Sequence, residues 1–126
     1  SGQSFDQFLR QRLFEPLGMN DTYFYLPAAK HNRLARLYTE DKAKRTVPMT
    51  AQGSQSPDYP KQNGQFFSGG AGLSSTLLDY AIFLQMVLNG GEYNGKRILS
   101  PATVRMALSN QIGELNVGNN KFGLGF

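Results

Sequence analysis

The 126-residue sequence carries a net charge of +4 and no cysteine, and the absence of cysteine excludes several kinds of site. Without cysteine there are no disulfides, iron–sulfur clusters or thiolate zinc sites, and a single histidine argues against a histidine-based metal site. No apolar run approaches the ~18 residues that a membrane span needs. We therefore expect one folded core without metal or cofactor, and no transmembrane segment in this chain.

The positive charge does not predict a nucleic-acid partner. A phosphate-binding surface needs clustered lysine and arginine side chains, whereas the basic residues here are scattered. The densest basic cluster, from Lys42 to Arg45, directly follows Glu40 and Asp41, whose charges weaken its field. We interpret this cluster as a solvated loop and expect no nucleic acid to bind.

The N-terminal segment predicts a helix followed by a turn. Ser4, with a glutamine three residues later, has the spacing of a capping box, and apolar residues at helical spacing predict a helix from about Phe5 to Phe14. Pro16 and Gly18 predict that this helix ends in a turn whose apolar residues pack. The aromatic run from Tyr23 to Leu26 fits either a short strand or a packed loop, and periodicity does not decide between them.

The middle of the sequence has no clear periodicity. Residues 27–67 contain prolines, glycines and many serine, glutamine and asparagine residues, which predicts a long irregular surface loop. A short apolar strand fits only at Arg33 to Tyr38. Loops of this length are usually functional or disordered, so we interpret this one as covering part of a larger structure.

A glycine-rich stretch, Ser68 to Thr76, then leads into the clearest helical pattern of the chain. Thr76 and the aspartate three residues later have capping-box spacing, and glycines after Asn89 predict the end of the helix. Asn94-Gly95 predicts a tight hairpin turn, and Ser100-Pro101 predicts the start of a third, short helix. We expect the residues from Lys121 onward to begin a strand.

The sequence contains none of the motifs that carry serine chemistry. There is no Gly-x-Ser-x-Gly elbow, and no serine is followed three residues later by a lysine. His31 lies in a polar, cationic stretch that is typical of a surface histidine. The glycines from Gly69 to Gly72 precede a helix and so fit a phosphate site, but the spacings of phosphate-binding loops are absent, which favours close backbone packing.

Four stretches, in order, resemble signatures of the serine β-lactamase-like family, which includes class C β-lactamases, DD-peptidases and carboxylesterases. Phe14-Glu15-Pro16-Leu17-Gly18-Met19-Asn20-Asp21-Thr22 resembles the family's F-x-P-L-G-M-x-x-T. Gly69 to Thr76 with the following Asp79-Tyr80 resembles its G-G-x-x-S-T-x-x-D. Leu88 to Ser100 and Phe122 to Phe126 resemble the segments that come next, and only the loop up to about Gln65 is left unmatched.

The resemblance implies an α+β, mostly helical fragment of the β-lactamase/transpeptidase-like fold. In these terms residues 1–126 are a single partial domain, with a helix and turn at 1–26, the irregular loop at 27–67, and the remaining elements at 68–126. In the family the Ser-x-x-Lys and Tyr-x-Asn motifs lie before the matched region, and a His-x-Gly or Lys-Thr-Gly motif lies after it. The resemblance therefore implies no catalytic residue in this chain.

The implied parent protein is a serine acyl hydrolase of the bacterial periplasm or cell envelope, acting on a small acyl substrate. The chain's partner would be the remainder of that enzyme, and its exposed apolar faces predict self-association when it is isolated. In relatives the glycine-rich stretch borders the active-site cleft and the preceding loop overhangs it. This implies six residues of the pocket wall: Gly69, Gly70, Ala71, Tyr59, Phe66 and Phe67.

Two alternatives stay open. The glycines at 69–72 fit close packing as well as a pocket wall. The whole chain also fits a non-catalytic binding or interaction module, whose basic loop recognises an acidic or cell-wall partner.

Overall fold

The structure, a computed structural model, describes residues 2–50, 56–115, 118 and 121–125. The chain divides into two units: Ser1–Asn20 together with Thr76–Phe126, and Asp21–Ser75. No helix among the described residues is both long and apolar enough to cross a membrane.

The N-terminal helical segment runs further than predicted. It consists of α1 (Phe5–Leu9), a π-helical stretch (Arg10–Phe14) and α2 (Glu15–Leu17), so it continues through Pro16 instead of ending before it. A proline cannot donate a backbone hydrogen bond, and its ring would strike the carbonyl four residues earlier in an α-helix. The wider π-turn avoids that contact, and Gly18 then ends the segment with a φ of 75°.

The helix after the glycine-rich stretch is confirmed. It is α3 (Leu77–Leu88), and the hydroxyl of Thr76 accepts a hydrogen bond from the N–H of Asp79 at 3.2 Å. The predicted stop is confirmed too, since the N–H of Gly91 donates to the carbonyl of Met86 at 2.9 Å just beyond the helix.

The Asn94-Gly95 hairpin is also confirmed. Strands β3 (Glu92–Tyr93) and β4 (Lys96–Arg97) pair in antiparallel fashion. The two turn residues have φ values of 47° and 73°, as a type I′ turn requires.

The third helix, labelled α4 (Pro101–Leu108), begins as predicted. The hydroxyl of Ser100 accepts a hydrogen bond from the N–H of Thr103 at 3.0 Å. The cap predicted at Ser4 is wrong, because Ser4 stands at the N-cap position but its side chain makes no capping hydrogen bond.

The strand expected from Lys121 onward is not formed at residues 121–125, and the last residue of the chain lies outside the described residues. The N–H of Gln111 donates to the carbonyl of Phe122, and the N–H of Leu124 donates to the carbonyl of Ala107, both at 2.8 Å. These backbone groups bond to α4 and the chain just after it, so the segment folds back on the helix instead of extending.

The first unit is built around a small apolar core. Its buried side chains come from the N-terminal helical segment and the turn after it, from α3 and from α4: Phe14, Leu17, Met19, Met86, Val87 and Val104. Each such side chain stabilises the fold by roughly 1.5–3 kcal/mol relative to leaving it in water. The prediction that Leu17 and Met19 pack is confirmed.

The second unit contains more regular structure than we predicted for residues 27–67. Its described residues, 21–50 and 56–75, include two 3₁₀ helices (Ala28–Arg33 and Tyr59–Lys61) and a hairpin of β1 (Tyr38–Glu40) and β2 (Thr46–Pro48). The strand predicted from Arg33 to Tyr38 is wrong in position, since Arg33 ends a helix and β1 begins at Tyr38.

A polar turn explains why the hairpin forms there. The carboxylate of Asp41 accepts hydrogen bonds from the N–H groups of Ala43 and Arg45 at 2.8 and 2.9 Å, which reverses the chain between β1 and β2. The hydrogen bonds from Arg45 and Ala43 hold the pKa of Asp41 below its usual value. Such side-chain-to-backbone turns leave no mark in apolar periodicity.

Candidate functional site

Gly69, Gly70 and Ala71 form the exposed tip of a turn in the second unit. The turn is closed by a hydrogen bond of 3.1 Å from the N–H of Gly72 to the carbonyl of Ser68. The tip therefore offers main chain and one methyl group to solvent, so another molecule can approach its backbone closely.

Close packing explains one of these glycines and not another. Gly72 is buried, and a Cβ there would lie 2.6 Å from the carbonyl oxygen of Ser68 and 2.9 Å from Cδ1 of Phe24. A Cβ on Gly70 would meet no atom within 4 Å. Packing thus requires a glycine at 72, while the fold of the described residues places no such demand on Gly70.

The outgoing stem of the turn, residues 73–75, is held by main-chain pairing. Tyr23 and Ser74 form an antiparallel bridge with two N–H to carbonyl bonds of 2.9 and 2.8 Å. Next to it, the hydroxyls of the buried Thr22 and of Ser75 are 2.7 Å apart. The aromatic run therefore contributes one bridge residue and otherwise forms a packed loop.

The incoming stem of the turn, residues 66–68, is held by aromatic rings. Phe67 packs edge-on against Phe24, with ring centroids 5.3 Å apart and an interplanar angle of 64°. It also contacts Tyr25 at 5.9 Å. Because Phe24 is only 3% exposed, the ring of Phe67 rests on a fixed surface.

Two tyrosine hydroxyls hold the main chain at Phe66. The hydroxyl of Tyr25 donates to the carbonyl of Phe66 at 2.7 Å and lies 2.8 Å from the hydroxyl of Tyr59. The hydroxyl of Tyr59 lies 3.3 Å from the same carbonyl. The neighbouring Tyr59 hydroxyl, together with burial, raises the pKa of Tyr25.

Three of the six predicted pocket residues, Tyr59, Phe66 and Phe67, therefore meet around Tyr25. The other three form the tip that begins two residues further along the chain. We did not predict Tyr25 as a site residue, although it belongs to the aromatic run that the sequence marks. Its partner Tyr59 is 34 residues away, and no local pattern indicates that pairing.

A charged cluster stands at the start of the aromatic run. Asp21 accepts from Lys30 at 2.5 Å and from Arg33 at 2.7 Å, and Nζ of Lys30 lies 5.1 Å from the ring centroid of Tyr23. Hydrogen bonds from Arg33 and Lys30 lower the pKa of Asp21 from 3.8 to about 2. The cluster ties the first 3₁₀ helix to the aromatic run.

His31 has a structural contact. Its Nε2 lies 2.9 Å from the carbonyl oxygen of Leu26, which joins the same 3₁₀ helix to the end of the aromatic run. Within residues 2–50, 56–115, 118 and 121–125, no three histidine, cysteine, aspartate or glutamate side chains are placed to share a metal ion. What the described arrangement can do chemically is to shape a surface around the exposed tip.

Solved structures identify the fold. EstCE1, described as a hydrolase with promiscuous acyltransferase activity, superimposes with a TM-score of 0.74 at 24% identity, covering 98% of this chain and 35% of that one. The octameric penicillin-binding protein homologue from Pyrococcus abyssi gives a TM-score of 0.66 at 25% identity, covering 99% of this chain and 25% of the other. The chain thus has the fold of part of a β-lactamase/transpeptidase-like protein, as predicted.

Sequence comparison identifies the family. A family model described as Beta-lactamase matches residues 1–126, and the chain belongs to the beta-lactamase family. Protein Rv1367c of Mycobacterium tuberculosis is 34% identical over 106 residues, covering 84% of this chain and 25% of that protein. The chain spans about a quarter of the length of the curated relatives it matches.

Proposed function

We propose that this chain is part of a serine acyl hydrolase that acts on a β-lactam, peptide or ester through an acyl-serine intermediate. Membership of the beta-lactamase family supports this, as does the similarity in fold to EstCE1, described as a hydrolase with promiscuous acyltransferase activity. The observation that carries the chain's own role is the exposed tip around Gly70, which is held at both stems yet leaves open space above its main chain.

In this proposal the chain forms one wall of the acyl pocket and supplies no nucleophile. A serine nucleophile needs a base that takes its proton as it attacks the substrate carbonyl. No Ser-x-x-Lys pair occurs in residues 1–126, so the attacking serine and its base belong to another part of the parent protein. There, backbone N–H groups hold the oxyanion, the leaving group departs, and water then releases the acyl group.

The wall itself consists of Gly69, Gly70 and Ala71, with Tyr59, Phe66 and Phe67 at and before the incoming stem. Its contribution is steric. A tip without side chains leaves room for the acyl group beside the scissile bond, and apolar rings next to it favour burial of an apolar substituent.

Intact-mass measurement after incubation with a reactive β-lactam, and separately with an activated ester, tests whether the nucleophilic serine lies outside this chain. We expect no adduct on the isolated chain and one acyl group on a serine outside it in the parent protein. The matched control is the parent with the serine of its Ser-x-x-Lys pair changed to alanine. An acyl group on a serine within the chain would refute the non-catalytic role, and a parent that never acylates would favour the binding module.

A bulky side chain at the tip tests whether the tip forms a wall of the acyl pocket. Gly70→Leu in the parent protein should lower kcat/KM for acyl substrates by at least about tenfold, because it fills space that the substrate needs. Ala102→Leu, at an exposed position of α4, is the matched control and should leave kcat/KM unchanged. Equal activity of the Gly70→Leu protein and the wild type would show that the tip does not line the acyl pocket.

A further inference from the structure

We propose that Tyr25 is a positioning residue: its hydroxyl, bonded to the carbonyl of Phe66, fixes the incoming stem of the glycine-rich turn and so the placement of the tip. The inference deepens the proposed pocket wall and rests on it for its functional consequence. The restraint itself is a property of the second unit alone.

The distances around Tyr25 favour one assignment of its hydrogen bonds. A phenol carries a single proton. Because Tyr25 donates its proton to the carbonyl of Phe66 at 2.7 Å, the 2.8 Å contact between the two hydroxyls is donated by Tyr59. The 3.3 Å contact from Tyr59 to the same carbonyl is then secondary. Tyr25 is therefore the main side-chain anchor of Phe66, and Tyr59 orients Tyr25.

The phenol ring of Tyr25 has little freedom to move. A Cβ on Gly64 would collide with its ring and hydroxyl, so the ring lies directly against the main chain there. The next residue, Leu26, donates its N–H to the carbonyl of Pro60 at 2.6 Å, which fixes the backbone beside the ring. Phe67 contacts the ring at 5.9 Å between centroids.

Burial does not replace this anchor at Phe66, because that residue is 75% exposed. The outgoing stem differs, since the bridge between Tyr23 and Ser74 uses main-chain groups only. Loss of the Tyr25 hydroxyl should therefore loosen the incoming stem and leave the outgoing one paired. This asymmetry separates positioning from general stabilisation.

Hydrogen exchange on the isolated chain tests the restraint without any activity. Losing the hydrogen bond that Tyr25 donates to the carbonyl of Phe66 should speed exchange of amides in residues 64–71 of the Tyr25→Phe chain by about fivefold. Tyr59→Phe removes the same atom nearby and loses only the longer 3.3 Å contact to Phe66, while the 2.7 Å bond from Tyr25 remains, so its effect there should be clearly smaller. Equal effects of the two variants, or exchange that rises as much in α3, would overturn the proposal.

Separate measurement of KM and kcat in the parent protein tests whether Tyr25 affects the pocket. A misplaced wall weakens substrate and transition state alike, so Tyr25→Phe should raise KM by about fivefold with kcat little changed. An unchanged KM, together with faster exchange, would show that the stem does not position the pocket. Should the wild-type parent hydrolyse no acyl substrate, the proposed function fails, while the exchange experiment still decides the restraint.

Discussion

Gly72 lies so close to Phe24 that a Cβ on Gly72 would come within 2.9 Å of Cδ1 of the ring, and within 2.6 Å of the carbonyl oxygen of Ser68. Phe24 is buried and packs against Phe67, so its ring has little room to turn away. Gly72→Ala should therefore lower the free energy of unfolding by about 1–3 kcal/mol, as overpacking does elsewhere. Chemical denaturation of the isolated chain measures this.

Gly70→Ala is the matched control for that change. The added methyl group would meet no atom within 4 Å, so stability should change by no more than about 0.5 kcal/mol. Equal destabilisation by the two variants would mean that the turn does not pack on Phe24 as described. Together the pair separates a glycine required by the fold from one that only the proposed pocket would require.

The elements predicted correctly from sequence are those written in a few adjacent residues. Thr76 begins α3, Ser100 begins α4, and Asn94-Gly95 turns the hairpin, because each acts through its own side chain or its own φ angle. The failure at Ser4 shows the limit of this argument. A capping residue type at the right spacing does not ensure that its hydroxyl turns toward the helix.

The parts missed depend on residues far apart in the chain. The aromatic run predicted a packed loop or a strand, but its role around the incoming stem comes from contacts of Tyr25 with Tyr59 and Phe66, 34 and 41 residues away. The π-turn before Pro16 was missed for a different reason, since a stretch of five residues is too short for apolar periodicity to establish which kind of helix it forms.

The serines at two helix N-cap positions, only one of which makes a capping hydrogen bond, give a direct stability test. Ser100→Ala removes an acceptor for the N–H of Thr103, which should cost about 0.5–2 kcal/mol in the free energy of unfolding. Ser4→Ala removes no capping bond and should change stability by less than about 0.5 kcal/mol. Urea denaturation of both variants beside the wild type checks the difference, and a larger loss at Ser4 would contradict the helix start described here.

Asp21 predicts how stability depends on acid. Its pKa in the folded chain is about 2, below the ordinary value of 3.8, because Arg33 and Lys30 bond to its carboxylate. Its contribution is therefore fully present above about pH 4 and is lost as the pH falls toward 2. The difference in Tm between the wild type and Asp21→Asn should be largest near pH 6 and should nearly disappear at about pH 2.

Salt provides the control for the Asp21 prediction. Asp21 is partly exposed to solvent, so 0.5 M sodium chloride should screen its ion pairs. The difference in Tm between the wild type and Asp21→Asn at pH 6 should therefore become smaller. A difference in Tm that is unchanged both by acid and by salt would show that Asp21 stabilises the chain by hydrogen bonding or packing and not through its charge.

The outer face of α3 predicts self-association of the isolated chain. Leu77 and Leu88 are 83% and 80% exposed, and they lie on one side of the helix because they are three turns apart. Exposed apolar faces of this kind mark surfaces that other molecules cover. Light scattering over a concentration series should show association, and Leu77→Lys with Leu88→Lys should reduce it. Met106→Lys with Leu108→Lys, at two half-exposed residues of α4, adds the same charge elsewhere and should reduce association much less. A wild-type chain that stays monomeric at high concentration would contradict the prediction, and equal effects of the two double variants would show that net charge, not the face of α3, controls association.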